Sequence, residues 1–229
     1  LLNLEDQKLW GSNASIGITA AAYALMNFVA VLVVVIFTLF TFNLENVLDF
    51  LVSPYFIIGT SFVELIFILV PALYVGKYLQ NPTLNNRLVL LGFTTKGFDK
   101  TKLVKEILIG LGFAVVGVAL VLSISLLMEI ILGLIFGFET IQDFFGTAGE
   151  VDTMIASADI LSIFLLSIIM ILIIGTTEEV LFRGFLQKGL VRSLGKSWGI
   201  FITALIFSSI HLIGIFLSPG SVIAFIISL

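Results

Sequence analysis

Long uninterrupted apolar runs constrain this chain more than any other feature. They fall at about Ile16 to Phe42, Val52 to Leu79, Ile107 to Phe138, from Ile160 onward, and Trp198 to Leu217. About 20 apolar residues carry a helix across a bilayer, and these runs are too long for buried strands or soluble core helices. They are apolar on every face, without the alternation of polar and apolar residues that marks an outer-membrane barrel. At 59% hydrophobic and 11% charged residues, with a mean hydropathy of +1.22, no aqueous fold could cover the apolar surface. The expected fold class is all-α, a polytopic transmembrane helix bundle, with residues 1–229 forming a single transmembrane domain. The lipid bilayer is its first partner.

Charge excludes several functions. A net charge of −4 offers no basic field for phosphate backbones, so no nucleic-acid partner is expected. The chain has no cysteine and one histidine, which removes thiol catalysis and the two-histidine HExxH zinc proteases. The N-terminal LLNLEDQKLWGSNAS has no basic stretch before a short apolar core, so the first span is expected to be retained.

The bases gather in two connectors, Lys77, Arg87, Lys96, Lys100, Lys102 and Lys105 in one, and Lys188, Arg192 and Lys196 in the other. The connectors around Glu45 and Asp49 and from Glu139 to Asp159 are acidic. This asymmetry predicts a multi-pass protein with both basic connectors in the cytoplasm. In the first of them QNPTLNN has loop chemistry and LVLLGF is expected at the interface. Pro71 predicts a kink in the second span, and Gly133 and Gly137 form a GxxxG packing signal in the third.

Ionisable groups inside apolar runs carry the functional information. GTTEEVLFRGF holds Glu178, Glu179 and Arg183, and ALIFSSIHL holds His211 in the following span. Each costs about 2.5 to 3.5 kcal/mol to insert at membrane depth, so a cluster on adjacent helices needs a shared purpose. If the helix starting near Ile160 continues to about Ser193 and turns around Gly195, Glu178 and His211 lie 17 and 16 residues from the turn. At about 1.5 Å per residue both sit roughly 25 Å along antiparallel helices, at one depth. Glu179 and Arg183 are spaced for an ion pair on one helix face, and Glu178, rotated by about 100°, faces another neighbour. A carboxylate and an imidazole so placed can hold a water, take its proton and deliver it to a leaving amine.

EEVLFR matches an EExxxR motif, and Phe207 to His211 matches FxxxH. In this order, on consecutive spans, they resemble the CAAX prenyl protease and bacteriocin-processing (CPBP/Abi) family of intramembrane proteases, in particular its type II CAAX prenyl endopeptidases. The resemblance covers roughly Ile160 to Leu217, and the LGFTTKGFDK stretch is similar to a loop that precedes a span in that family. It implies a helical bundle with the site inside the membrane near the cytosolic face. Glu178 and His211 would act on the water, with Glu179 and Arg183 in support. The substrate would be a prenylated CAAX protein or another lipid-linked peptide, cut near its C-terminus. The family also carries a later HxxxN-type motif that holds the oxyanion. This sequence has no second histidine, so its final C-terminal helices are expected to lie outside the 229 residues.

Other readings compete. A purely structural ion pair is the lesser reading of Glu179 and Arg183, whereas Phe207 reads first as a packing wall for His211. Glu64 and Glu129, with Glu178, suggest a proton- or ion-coupled transporter. A non-catalytic scaffold or immunity protein on the same fold is a third reading. Two carboxylates and one imidazole supply three zinc ligands, but an arginine beside them makes a poor cation site, so no cofactor is expected and metal-free water activation is favoured. A serine mechanism lacks a nucleophile elbow, since Ser208 and Ser209 flank the histidine on its own helix.

Overall fold

Helix boundaries follow the polar breaks in the sequence. The computed structural model describes residues 9–41, 53–94, 100–138 and 158–213, and every regular element among them is helical. Helix α1 is Ser12–Thr41. The second span begins with α2 (Pro54–Ser61), where Ser53 Oγ accepts from the Phe56 amide and Pro54 needs no donor partner in the first turn. It tightens at Phe62–Leu65 and resumes as α3 (Ile66–Val75), which contains Pro71. Helix α4 is Leu84–Leu91, capped by Thr83 and ended by Gly92 at φ +105°. Helix α5 is Leu103–Phe136.

The fourth span is continuous from Ile160 to Leu194, as the sequence predicts, but not uniformly α-helical. Helix α6 (Ile160–Ile169) leads into wide i→i+5 turns at Met170–Ile174. Helix α7 (Gly175–Glu178) gives way to further wide turns over Glu179–Gln187, and α8 (Lys188–Leu194) completes the span. Gly195, at φ +81°, makes the expected sharp turn into α9 (Lys196–Ile213). Ser12–Ile36, Pro54–Tyr78, Leu103–Phe136 and Ile160–Leu194 are long and apolar enough to cross a membrane, and the chain is an integral membrane protein. The fifth expected span corresponds to α9, and its predicted end at Leu217 lies outside the described residues. So do the acidic connector of Glu45 and Asp49, most of the Glu139 to Asp159 connector, and the turn at Ser218 to Gly220.

The chain divides into two compact units, residues 1–94 with 150–204 and residues 95–149 with 205–229. In the first, the spans starting at Pro54 and Ile160 begin side by side. Asp159 caps α6 by accepting from the Ser162 amide at 2.9 Å, and its other oxygen accepts from the Tyr55 hydroxyl at 3.0 Å. The opposite end holds a core of Trp10, Ala72, Val75, Tyr78, Leu79, Leu90, Leu91, Val180 and Phe185. Trp10, fully buried, donates its indole N–H to the Phe185 carbonyl at 3.0 Å and stacks on that ring at 5.1 Å. The Arg192 guanidinium lies 4.2 Å from the Trp10 ring centroid, within cation–π range. Arg87 reaches back to the Ala72 carbonyl at 3.4 Å, serving an acceptor near the end of α3. Lys77, Arg87, Lys188 and Arg192, from both basic connectors, thus surround one end of this unit.

In the second unit, α5 is exposed along almost its whole length, as suits a helix bathed in lipid. The GxxxG pair there ends the helix instead of presenting a bare packing face. Gly137 adopts φ +92°, its amide bonds to the Gly133 carbonyl at 3.0 Å, and the Phe138 ring folds over Gly133. Glu129 is exposed on this helix.

Candidate active site

Glu178 and Glu179 stand where the fourth span changes from α-helical to wide turns. Insertions of this kind widen the helix and often occur at functional sites. They also change the rotation between successive side chains from the 100° of a regular helix. Glu179 Oε1 and Arg183 Nη1 are 3.1 Å apart, with the side chains 56% and 73% exposed. The expected ion pair is therefore formed, on an open face of the first unit. Between exposed side chains in water such a pair contributes about 0 to 1 kcal/mol. Its value at membrane depth is that the two charges are brought in as a neutral group.

The pair lines a cavity of about 550 Å³, walled by Leu91, Gly92, Phe93, Ile171, Val180 and Lys188 among others. Two features place that wall. Gly184 lets the Leu91 carbonyl approach so closely that a Cβ there would fall 2.3 Å from its oxygen, and Lys188 Nζ donates to the Leu90 carbonyl at 3.1 Å. The LVLLGF segment, expected at the membrane interface, thus packs its Leu90 and Leu91 into the core and presents Gly92 and Phe93 to the cavity. Sequence reasoning missed this helix and gave its first residues, Leu84 to Asn86, to a loop; Thr83 and Gly92, a capping residue and a C-terminal glycine at helical spacing, were the available signals.

Glu178 itself is half-buried and does not line the cavity. Thr177 beside it is fully buried; its hydroxyl donates to the Ile174 carbonyl at 2.9 Å and lies 3.3 Å from Glu64 Oε2. Glu64 belongs to the tight Phe62–Leu65 turn of the second span. Its contact with the motif helix was not foreseen, although a glutamate within an apolar run was the available sign.

In the second unit, His211 is exposed near the end of α9. Its Nδ1 is 2.9 Å from the Phe207 carbonyl and its ring centroid 4.3 Å from that of Phe207. A carbonyl only accepts, so Nδ1 carries the hydrogen and Nε2 is the acceptor of the neutral ring. The aromatic residue of FxxxH therefore both walls the imidazole and selects its tautomer. Among the described residues no three His, Asp or Glu side chains converge as a metal site. The Glu178–His211 pairing that spacing predicts joins residues of the two units, and it belongs to the functional proposal.

Residues 160–229 match the family described as Rce1-like, type II CAAX prenyl endopeptidase. No curated protein and no solved structure matches the chain. The matched segment contains the EExxxR helix, the Gly195 turn and the FxxxH helix described above. Over residues 160–229 the chain is similar to the Rce1-like family, a family of proteases.

Proposed function

We propose that this protein is an intramembrane endopeptidase that hydrolyses a peptide bond near the C-terminus of a prenylated CAAX-type protein or similar lipid-linked peptide. The observation that carries the reading is the Glu179–Arg183 ion pair at 3.1 Å, opening on a cavity with apolar walls within the matched segment. Glu178 acts as general base and takes a proton from a water molecule. The oxygen attacks the scissile carbonyl carbon, and the tetrahedral intermediate collapses with cleavage of the C–N bond. His211, with Nδ1 fixed on the Phe207 carbonyl, receives that proton from Glu178 at Nε2 and delivers it to the departing amine. No covalent enzyme intermediate is needed. Arg183 holds Glu179 as a neutral pair, so that the Glu179 carboxylate adds little to the field at Glu178. The apolar wall of Leu91, Phe93, Ile171 and Val180 suits a lipid-bearing substrate, and the cytoplasmic side is the expected side of entry.

The test is cleavage of a farnesylated CAAX peptide by purified full-length protein, with products identified by mass. Wild type should release a short C-terminal peptide, and Glu178→Ala and His211→Ala should each lose turnover while remaining folded. Equal turnover by all three would overturn the assignment. An unfarnesylated peptide cleaved equally well would remove the prenyl specificity and leave the hydrolysis.

A further inference from the structure

We infer that Glu64, on the second span, is a positioning residue for Glu178 and acts through Thr177. The inference rests on the hydrolytic role of Glu178 proposed above. Two irregular segments face each other at this point. The second span tightens at Phe62–Leu65, the fourth widens at Met170–Ile174, and the two turns are in contact. The bridge between them is the Thr177 hydroxyl, which has one hydrogen and two acceptors in reach, Ile174 O at 2.9 Å and Glu64 Oε2 at 3.3 Å.

A link at this position has leverage. Thr177 precedes Glu178 directly, and both lie in α7, four residues of regular helix between two stretches of wide turns. So short a segment has little register of its own, and a rotation by one residue position turns a side chain by about 100°. A threonine bonded only to its own helix carbonyl bends the helix without fixing where it points. The carboxylate of a neighbouring span supplies the external reference. Thr177 is fully buried and Glu64 half-buried, so the threonine end of the link is shielded from competing water. Glu64 is thereby part of the site's support, and need not be one of a series of carboxylates conducting protons across the membrane.

The experiment measures kcat and KM on the farnesylated peptide, per folded molecule, for wild type, Glu178→Ala, Glu64→Leu, Glu64→Gln, Thr177→Val and the Glu64→Leu/Thr177→Val double variant. A misplacement of about 1 Å near reacting groups costs on the order of 100-fold, so Glu64→Leu and Thr177→Val should each lower kcat about 10- to 100-fold with little change in KM. Glu64→Gln keeps an oxygen acceptor for the hydroxyl and should recover most of the loss. The double variant should be no slower than the slower single one, because both break one link. A role confined to stability would reduce the yield of folded protein and leave kcat per molecule unchanged. An active wild type, silenced by Glu178→Ala but unaffected by Glu64→Leu, overturns the positioning role alone, as do losses that multiply in the double variant. A wild type without cleavage overturns the hydrolytic reading and the positioning role together.

Discussion

Replacing Gly184 by alanine tests whether the cavity wall is set by close packing of α4 on the motif helix. A Cβ on Gly184 would fall 2.3 Å from the Leu91 carbonyl oxygen, where ordinary contact starts at 3.4 Å. The obstacle is backbone rather than the end of a flexible side chain, so the two segments must separate by about 1 Å, at a cost of about 1 to 3 kcal/mol for overpacking. That shift moves Leu91, Gly92 and Phe93 away from Glu179 and Arg183 and stretches the Lys188 bond to Leu90, now 3.1 Å. Displacement of this size is enough to reduce turnover on the order of 100-fold. Gly17→Ala is the control, since nothing lies within 4 Å of its Cβ position, and alanine in a helix is favoured over glycine by about 1 kcal/mol. Thermal unfolding in detergent and turnover of the farnesylated peptide should show Gly184→Ala less stable and much slower, and Gly17→Ala unchanged or slightly more stable. If Gly184→Ala matches Gly17→Ala in both assays, the close approach does not set the wall.

Trp10→Ala removes a fully buried ring, its bond to the Phe185 carbonyl and its contact with Arg192. It should destabilise the first unit by about 3 to 5 kcal/mol, measured by denaturant unfolding of the solubilised protein; a change below about 1 kcal/mol refutes the role of the N-terminal segment as an anchor. Asp159 is held below the ordinary carboxylate range, chiefly by the Ser162 backbone amide and then by the Tyr55 hydroxyl. A depressed folded-state pKa stabilises above the unfolded value of about 3.9 and is lost as pH falls through the folded value. Thermal melts should therefore show wild type ahead of Asp159→Asn near neutrality and level with it at the acid end; a gap independent of pH contradicts this. Arg183→Lys keeps the charge but loses the planar fork, and kcat should fall by about tenfold or more; wild-type kcat would mean that charge alone suffices.

The span pattern was legible because it depends on the length and uniformity of apolar runs, which local chemistry imposes. The turn at Gly195 was legible for a related reason: one glycine between two apolar stretches is the cheapest place for a left-handed backbone. The Glu179–Arg183 pair followed from spacing alone and survived a change of helix type, because four residues keep two side chains on one face in either geometry. The wide turns themselves had no local signature, since Met170 to Ile174 reads as ordinary apolar helix and only packing against the second span distinguishes it. Trp10 and Glu64 were hidden for the same reason. Their partners, Phe185 and Thr177, lie more than a hundred residues away in sequence. Gly133 and Gly137 show the opposite failure, a recognisable pattern used for a different purpose, the ending of a helix.

The central claim is that Glu178 and His211 act together on one water molecule, and a double-mutant cycle on kcat/KM is its most direct test. With Glu178→Gln, His211→Ala and the double variant assayed on the farnesylated peptide, residues working as a unit give losses far from multiplicative, the double variant being about as slow as the slower single one. Losses that multiply, or residual turnover in the double variant equal to wild type, would contradict the account.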